Sequence, residues 1–511
     1  MEKNFLKAFS YKIKSPIELN KYFKKNKLKK ILCHGNFDVV HPGHIRHLLY
    51  AKSKADILIV SITADRFIKK GMYRPHIPQN LRALNLAALE VVDFVIIDDK
   101  PKPDALLKKI KPEFFAKGYE YNADKLHEDS AAEMQIVKSY GGEMIFTPGD
   151  VIYSSTNLIN ENLPNIDKEK ILNVMQENNI TIDILKKNLS KFKNKKIHVI
   201  GDTIIDVYTR ASVIGGQIKT PTLSVLHQKA DVYIGGAAIV AQHLKAAGAD
   251  VTFTTILGND EHRDFVIKKL KEKKIKINPI ILSTRPTTSK NAIIAGGYRI
   301  LKIDKVDNQP VNKEVIHKLC KFVKKEKSDC VVLSDFRHGI FHAGSISKIC
   351  KSISKKTLKV ADSQVATRWG NITDFKNFDI IFPNEREARF CLADQDSSIS
   401  SLCRRLLEES KCKNLVLKLG EKGLYGVVGN KARYTFTYPS FTKEVKDPVG
   451  AGDSLLAYTT LSYLVGSNLA EAVLLGSLAA GVACEYDGNI SVSKKDILLK
   501  LQNLEKLINF E

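Results

Sequence analysis

The chain predicts two α/β domains in tandem, each built on a mostly parallel sheet. Short apolar runs alternate with segments of helical periodicity, the pattern of βαβ units. That alternation is interrupted once, over residues 161–195, by a polar stretch rich in Lys and Asn. A length of 511 residues also exceeds what one hydrophobic core ordinarily organises.

In order, residues 30–33 read as a buried strand ending at His34-Gly35. Residues 43–54 carry helical spacing at Ile45, Leu48 and Leu49. Residues 57–62 read as a strand, 81–89 as a helix and 94–97 as a strand. The predicted first domain is 1–160. Residues 161–195 read as a partly helical linker, with weak periodicity at Ile171, Val174, Ile182 and Leu185. A new strand at 197–200 runs into Gly201-Asp202, and the alternation continues through a second domain, 196–511.

Hydrophobic residues make up 44% and charged residues 27%, a soluble globular composition. No run reaches the roughly 18 apolar residues of a membrane span. Residues 1–14 alternate lysine with apolar residues and lack the core of a secretory signal. The eight cysteines are scattered without a Cys-x-x-Cys pair, which predicts reduced thiols and a cytoplasmic location. The net charge of +24 comes from lysines spread along the chain. The densest cluster, Lys24, Lys25, Lys27, Lys29 and Lys30, has no interleaved aromatics, which argues against nucleic acid and for anionic small molecules.

Two phosphate-handling signatures stand about four hundred residues apart. The first is Gly35-Asn36-Phe37-Asp38-Val39-Val40-His41-Pro42-Gly43-His44. A strand stops and a helix starts there, so free N–H groups and the helix dipole favour an anion. His41 and His44, three apart, can face one side and donate to phosphates as charge builds during attack on an α-phosphorus. This segment resembles the cytidylyltransferase-like nucleotidyltransferases, over about residues 30–160. Supporting stretches include Ala64-Asp65-Arg66, Ala116-Lys117-Gly118 and Tyr153-Ser154-Ser155-Thr156. The resemblance implies His41 and His44 as the catalytic pair, with Asn36, Phe37 and Asp38 at the nucleotide. It implies Arg82 and Lys117 on phosphates, and Ser154, Ser155 and Thr156 capping a triphosphate. Gly149 and Asp150 stand where the glycerol-phosphate branch has an arginine, which favours ATP as donor and keeps CTP open.

The second signature is Asp447-Pro448-Val449-Gly450-Ala451-Gly452-Asp453-Ser454, ahead of an apolar helical run. Gly450 and Gly452 expose successive N–H groups, and Asp453 can take a proton from an acceptor hydroxyl attacking a γ-phosphoryl group. The stretch 196–500 resembles the ribokinase-family (PfkB-type) carbohydrate kinases. That implies a ribokinase-like α/β sandwich, with Asp453 catalytic and Gly450, Ala451 and Gly452 as its anion hole. Lys418, Gly420 and Gly423 would lie on the nucleotide side. Asp206, Gly235, Gly236, Lys290 and Asp335 would hold the sugar, and Asn384 and Glu387 would place Mg²⁺. Ile239, His338 and Gln364 depart from the heptose kinases, whose pattern has Asn, Lys and Lys there; Arg337, His338 and Arg368 are candidates to compensate.

Together the halves resemble bifunctional heptose-phosphate kinases with heptose-1-phosphate adenylyltransferase activity, in reversed domain order. The resemblance implies ATP- and Mg²⁺-dependent phosphorylation of a sugar or sugar phosphate, then nucleotidyl transfer to the sugar 1-phosphate. It implies sugar phosphates and nucleotides as partners, with a homodimer through the kinase domain as an option and neither membrane nor nucleic acid. Two alternatives stay open: CTP-dependent activation of a non-heptose sugar or polyol phosphate, and a partly degenerate regulator that binds a nucleotide sugar. A tRNA-linked reading of His-x-Gly-His is disfavoured, because no Lys-Met-Ser-Lys-Ser-like loop occurs.

Overall fold

A strand buried on both faces is mostly apolar, and Ile57–Thr63, polar only at Ser61 and Thr63, is buried at every position. It is β2 of a five-stranded sheet in the first unit, with β1 (Lys30–Gly35), β3 (Phe94–Asp98), β4 (Phe114–Lys117) and β5 (Glu143–Phe146). The order is β3-β2-β1-β4-β5, all parallel. The computed structural model describes residues 9–26, 28–68, 74–118, 128–146, 166–215, 223–364, 372–429, 434–442 and 445–508. They divide into two compact units, Met1–Asn173 with Asp396–Leu402 and Val174–Gln395 with Cys403–Glu511.

The order of the first sheet reverses between β1 and β4, which opens a crevice at the carboxyl ends of those two strands. Each predicted element is present, with ends shifted by one or two residues. The first helix starts at Pro42 and runs to Lys52, because a proline at the opening turn needs no hydrogen-bond partner. The next helix, Gln79–Ala87, starts two residues early, after Pro78.

In the second unit the strands are β6 (Lys196–Gly201), β7 (Thr203–Gly215), β8 (Ser224–Gly236), β9 (Asp250–Gly258), β10 (Lys276–Leu282), β11 (Ser289–Ala295) and β12 (Tyr298–Lys305). They continue with β13 (Cys330–Asp335), β14 (Leu358–Ser363), β15 (Ile380–Ile381), β16 (Asn414–Lys418), β17 (Leu424–Val428) and β18 (Tyr434–Tyr438). The main sheet has nine strands in the order β10-β9-β6-β13-β14-β15-β16-β17-β18. It is parallel from β10 to β16 and antiparallel at β17 and β18. A separate four-stranded sheet, β12-β11-β7-β8, is built from the insertions after β6 and β10. Helix Leu469–Cys484 is buried almost all round, which its largely apolar sequence, broken by Glu471 and Ser477, requires.

The stretch 161–195 contains two helices, Ile166–Glu177 and Ile182–Ser190. The second is part of the second unit. Leu185, Leu189 and Phe192 are fully buried, and Asn188 Nδ2 donates to Ser467 Oγ at 3.0 Å. From residue 174 onward the chain is therefore packed against the second unit rather than spanning free space.

Candidate active sites

In the first unit, His41 is itself the cap of helix Pro42–Lys52. Its Nδ1 accepts the Gly43 N–H at 3.2 Å. A neutral ring that accepts at Nδ1 carries its proton on Nε2, leaving an N–H donor directed away from the helix. Burial lowers the His41 pKa. His44 stacks on it with ring centroids 3.8 Å apart. Burial, then His41 and His47, push His44 down to about 4. Both rings are thus neutral donors near neutral pH. Gly43 lies between them because a Cβ there would stand 2.9 Å from the His41 ring.

Lys117 ends β4, beside β1, and pairs with Glu133. It is among the causes that hold half-buried His34 down at about 4, after desolvation. Three expected nucleotide residues turn inward instead. Arg82 is fully buried. Its guanidinium donates to the carbonyls of Ile77, Asn36 and Thr63 and pairs with Asp65 at 2.6 Å. It cannot reach a phosphate without abandoning these partners, so the expectation that it contacts phosphates is corrected: it positions the Asn36 loop. Asp38 accepts the N–H groups of His76 and Ile77 at 3.0 and 2.9 Å, which ties two loops together. Phe37 belongs to the core and packs 5.0 Å from the His44 ring. Ser154, Ser155 and Thr156 lie outside the described residues.

In the second unit, helix Ala451–Leu464 begins after Gly450, whose φ of 85° is left-handed, and it has no side-chain cap. Its first turn is therefore open to an anion. Asp453 stands in that turn and lines a cavity of about 1140 Å³. Burial, then Asp362, raises Asp453 to about 8, with Lys418 opposing. Lys418, at the end of β16, lines the same cavity and pairs with Asp362 Oδ2 at 2.8 Å. Gly420 and Gly423 line it beside Lys418.

Asn384 and Glu387 form a reciprocal capping box. The Asn384 N–H donates to Glu387 Oε2 at 2.6 Å and the Glu387 N–H to Asn384 Oδ1 at 2.8 Å. Burial raises Glu387 to about 7; Lys418 opposes this and Asp362 adds to it. Asp362 Oδ1 is buried with no hydrogen-bond partner among the described residues.

The four-stranded sheet supplies the other end of the cavity through Asp206, Tyr208 and Lys290. Asp206 and Lys290 are register partners on β7 and β11. Burial raises Asp206 and lowers Lys290. Gly235 is needed beside Asp206, since a Cβ would fall 2.1 Å from Asp206 Oδ2. Gly236 starts helix Ala237–Ala246 with φ 64°. Asp335 does not line this cavity. Its buried carboxylate accepts Ser363 Oγ at 2.8 Å and pairs with Arg337 at 3.3 Å, so its expected contact with sugar is corrected to a structural role. Arg337 is thereby occupied, and His338 is pushed to about 3 by burial and then by Lys290 and Lys302. Neither lines the cavity, whereas Lys290 does. Arg368 lies outside the described residues.

Asp362, Tyr208 and Asn489 escaped the sequence reading as site residues. Tyr208 donates to Asp447 Oδ2 at 3.0 Å, tying the small sheet to the loop before Gly450. Asn489 donates to Asp206 Oδ2 at 2.8 Å. Asp487-Gly488-Asn489 is a turn signal, but nothing local to it indicates what it faces.

Residues 32–164 match the cytidylyltransferase-like family model and residues 194–496 the pfkB family carbohydrate kinase model. The chain is similar to Bifunctional protein HldE of Sulfurimonas denitrificans, 28% identical over 305 residues, 59% of this chain and 63% of that protein. It is also similar to Bifunctional protein HldE of Helicobacter acinonychis, 29% identical over 330 residues, 62% of this chain and 70% of that one. The chain thus spans less than two thirds of the first of these relatives. Phosphofructokinase-2 from Escherichia coli in complex with substrates and products shares the fold, with TM-score 0.52 at 17% identity, covering 61% of this chain and 99% of that one. An open helix start bearing Asp453, a nine-stranded sheet with a smaller sheet over its cavity, and a family match across more than half of the residues lead to one conclusion: the chain belongs to the pfkB family of carbohydrate kinases.

Proposed function

We propose that the chain is a bifunctional enzyme of nucleotide-activated sugar synthesis. The kinase domain phosphorylates a heptose-7-phosphate-like sugar at its anomeric hydroxyl with ATP. After a separate phosphatase has removed the distal phosphate, the first domain joins the sugar 1-phosphate to a nucleotidyl group, AMP before CMP, and releases pyrophosphate. The observation that carries this reading is that each unit has a helix start bearing a reactive side chain: His41, which itself caps the first, and Asp453 in the uncapped opening turn of the second. The relatives' name, Bifunctional protein HldE, supports the pairing. Domains of 1–160 and 196–511 with a joining segment are part of the reading.

In the kinase step, Asp206 and Lys290 hold the acceptor while Asp453 takes the proton of its hydroxyl. The N–H groups of the helix start stabilise the charge on the transferred group. In the nucleotidyl step, a phosphate oxygen of the sugar attacks the α-phosphorus. His41, through Nε2–H, and His44 stabilise the charge that builds there, so no nucleophilic side chain is needed.

Magnesium fits the kinase site. Asp362 has an oxygen without a partner and Glu387 one outside the capping box, so these two would hold it while Asn384 fixes Glu387. Bound Mg²⁺ would neutralise phosphate charge. Among the described residues no three His, Cys, Asp or Glu gather as a metal cage, which suits an ion held partly by phosphate oxygens.

A cytoplasmic location is part of this reading; all eight cysteines are free thiols, and among the described residues no helix is long and apolar enough to cross a membrane. A homodimer through the four-stranded sheet is supported by exposed Leu226, Leu301 and Ile303. The deciding experiment measures pyrophosphate release with ATP, CTP, GTP and UTP against a panel of sugar 1-phosphates. Release with ATP and a heptose 1-phosphate is expected. Release only with CTP, or only with another sugar, would replace the heptose reading, and none with any pair would refute the nucleotidyl step.

A further inference from the structure

We propose that Lys418 is a catalytic residue of the phosphoryl-transfer step, its ammonium group binding the γ-phosphoryl of the nucleoside triphosphate directly. This rests on the kinase reading of the cavity. Nζ stands 3.5 Å from where a Cβ on Gly452 would be, so the ammonium lies over the opening turn that carries Asp453. Its pairing with Asp362 at 2.8 Å uses one of three donors, which leaves two for phosphoryl oxygens. The pair is shielded, with side-chain exposures of 15% and 6%, so its charge is little screened by water.

Of the charges that act most on Asp453, Asp362, Asp206 and Glu387 are carboxylates and Lys418 is the cation; Arg386 and Lys290 also line the cavity. A triphosphate reaching the opening turn therefore meets the Lys418 ammonium as a fixed positive partner. In the step itself, the acceptor oxygen bonds to the γ-phosphorus. The bond from that phosphorus to the β-phosphate oxygen breaks, and its electron pair leaves on the nucleoside diphosphate. The hydroxyl proton passes to Asp453. Lys418 keeps its protons throughout, stabilises the transferred group and favours the ionised form of Asp453.

The test compares ATP and ADP binding to the full-length protein, to Lys418→Met and to Lys418→Arg. Losing a charge-assisted contact to the γ-phosphoryl is expected to weaken ATP about tenfold or more in Lys418→Met, while ADP changes less than about twofold. Unchanged ADP affinity also shows that the variant is folded. In the kinase kcat/KM profile, the acid limb should move to higher pH in Lys418→Met, because Asp453 has lost its counter-charge, and stay near its original place in Lys418→Arg. Equal weakening of ATP and ADP would overturn the proposal, as would unchanged ATP affinity or an unmoved acid limb. If the wild type transfers phosphate to no sugar, the kinase reading fails; a selective loss of ATP binding in Lys418→Met would still support the γ-phosphoryl contact.

Discussion

Asn489 donates from Nδ2 to Asp206 at 2.8 Å, and its Oδ1 stands 2.8 Å from where a Cβ on Gly450 would be. One side chain thus touches both the carboxylate proposed to hold the sugar and the glycine that opens the anion-binding turn. Gly450→Ala would drive a methyl group into Asn489 at a φ of 85°, a strain of about 1–3 kcal/mol. Kinase turnover should fall while pyrophosphate release by the first domain stays unchanged, measured in parallel assays on the same preparation.

Asp453→Asn removes the proton acceptor but keeps the shape of the turn. Kinase turnover should drop by about 10²–10⁴-fold. His41→Ala or His44→Ala should cost the nucleotidyl step about 10²–10³-fold, as loss of one transition-state donor does elsewhere. Each change should spare the other activity; loss of both from either one would refute independent sites.

The two activities should differ in pH dependence. Asp453, raised to about 8, is largely protonated at neutral pH in the free enzyme. A general base must be ionised, so kinase kcat/KM should climb as pH rises through 8. His44, pushed to about 4, is already neutral. Histidine titration should therefore leave nucleotidyl kcat/KM flat from about pH 6 to 8. A kinase profile already flat below pH 7 would show that Asp453 ionises earlier than its surroundings indicate.

Arg82→Met should act on stability rather than on ATP affinity. Removing the cation leaves half-buried Asp65 with only the Gln79 N–H on its carboxylate and three carbonyls without their donor. A loss of about 3–5 kcal/mol is expected in urea denaturation. A raised KM for ATP at unchanged stability would restore a phosphate-binding role.

Leu185→Ala, far from both sites in sequence, should destabilise the second unit by about 2–5 kcal/mol, since Leu185 is fully buried there. A kinase fragment starting at residue 174 should accordingly outlast one starting at 196 in thermal unfolding.

The sequence by itself determined the elements and the two helix starts. The largely apolar segments Ile57–Thr63 and Leu469–Cys484 require burial whatever surrounds them. Contiguous residues such as His41-Pro42-Gly43-His44 set a helix start locally, because capping and left-handed turns are decided within one turn of chain. Only the tertiary structure decided what the charged side chains do. Lys418 meets Asp362 across 56 residues, and Asn489 meets Asp206 across 283. Arg82 and Asp335 have the composition of ligand-binding residues, yet both face inward. A charge is assigned to ligand or scaffold by which partner can satisfy it out of water, and that partner comes from a strand or loop distant in sequence.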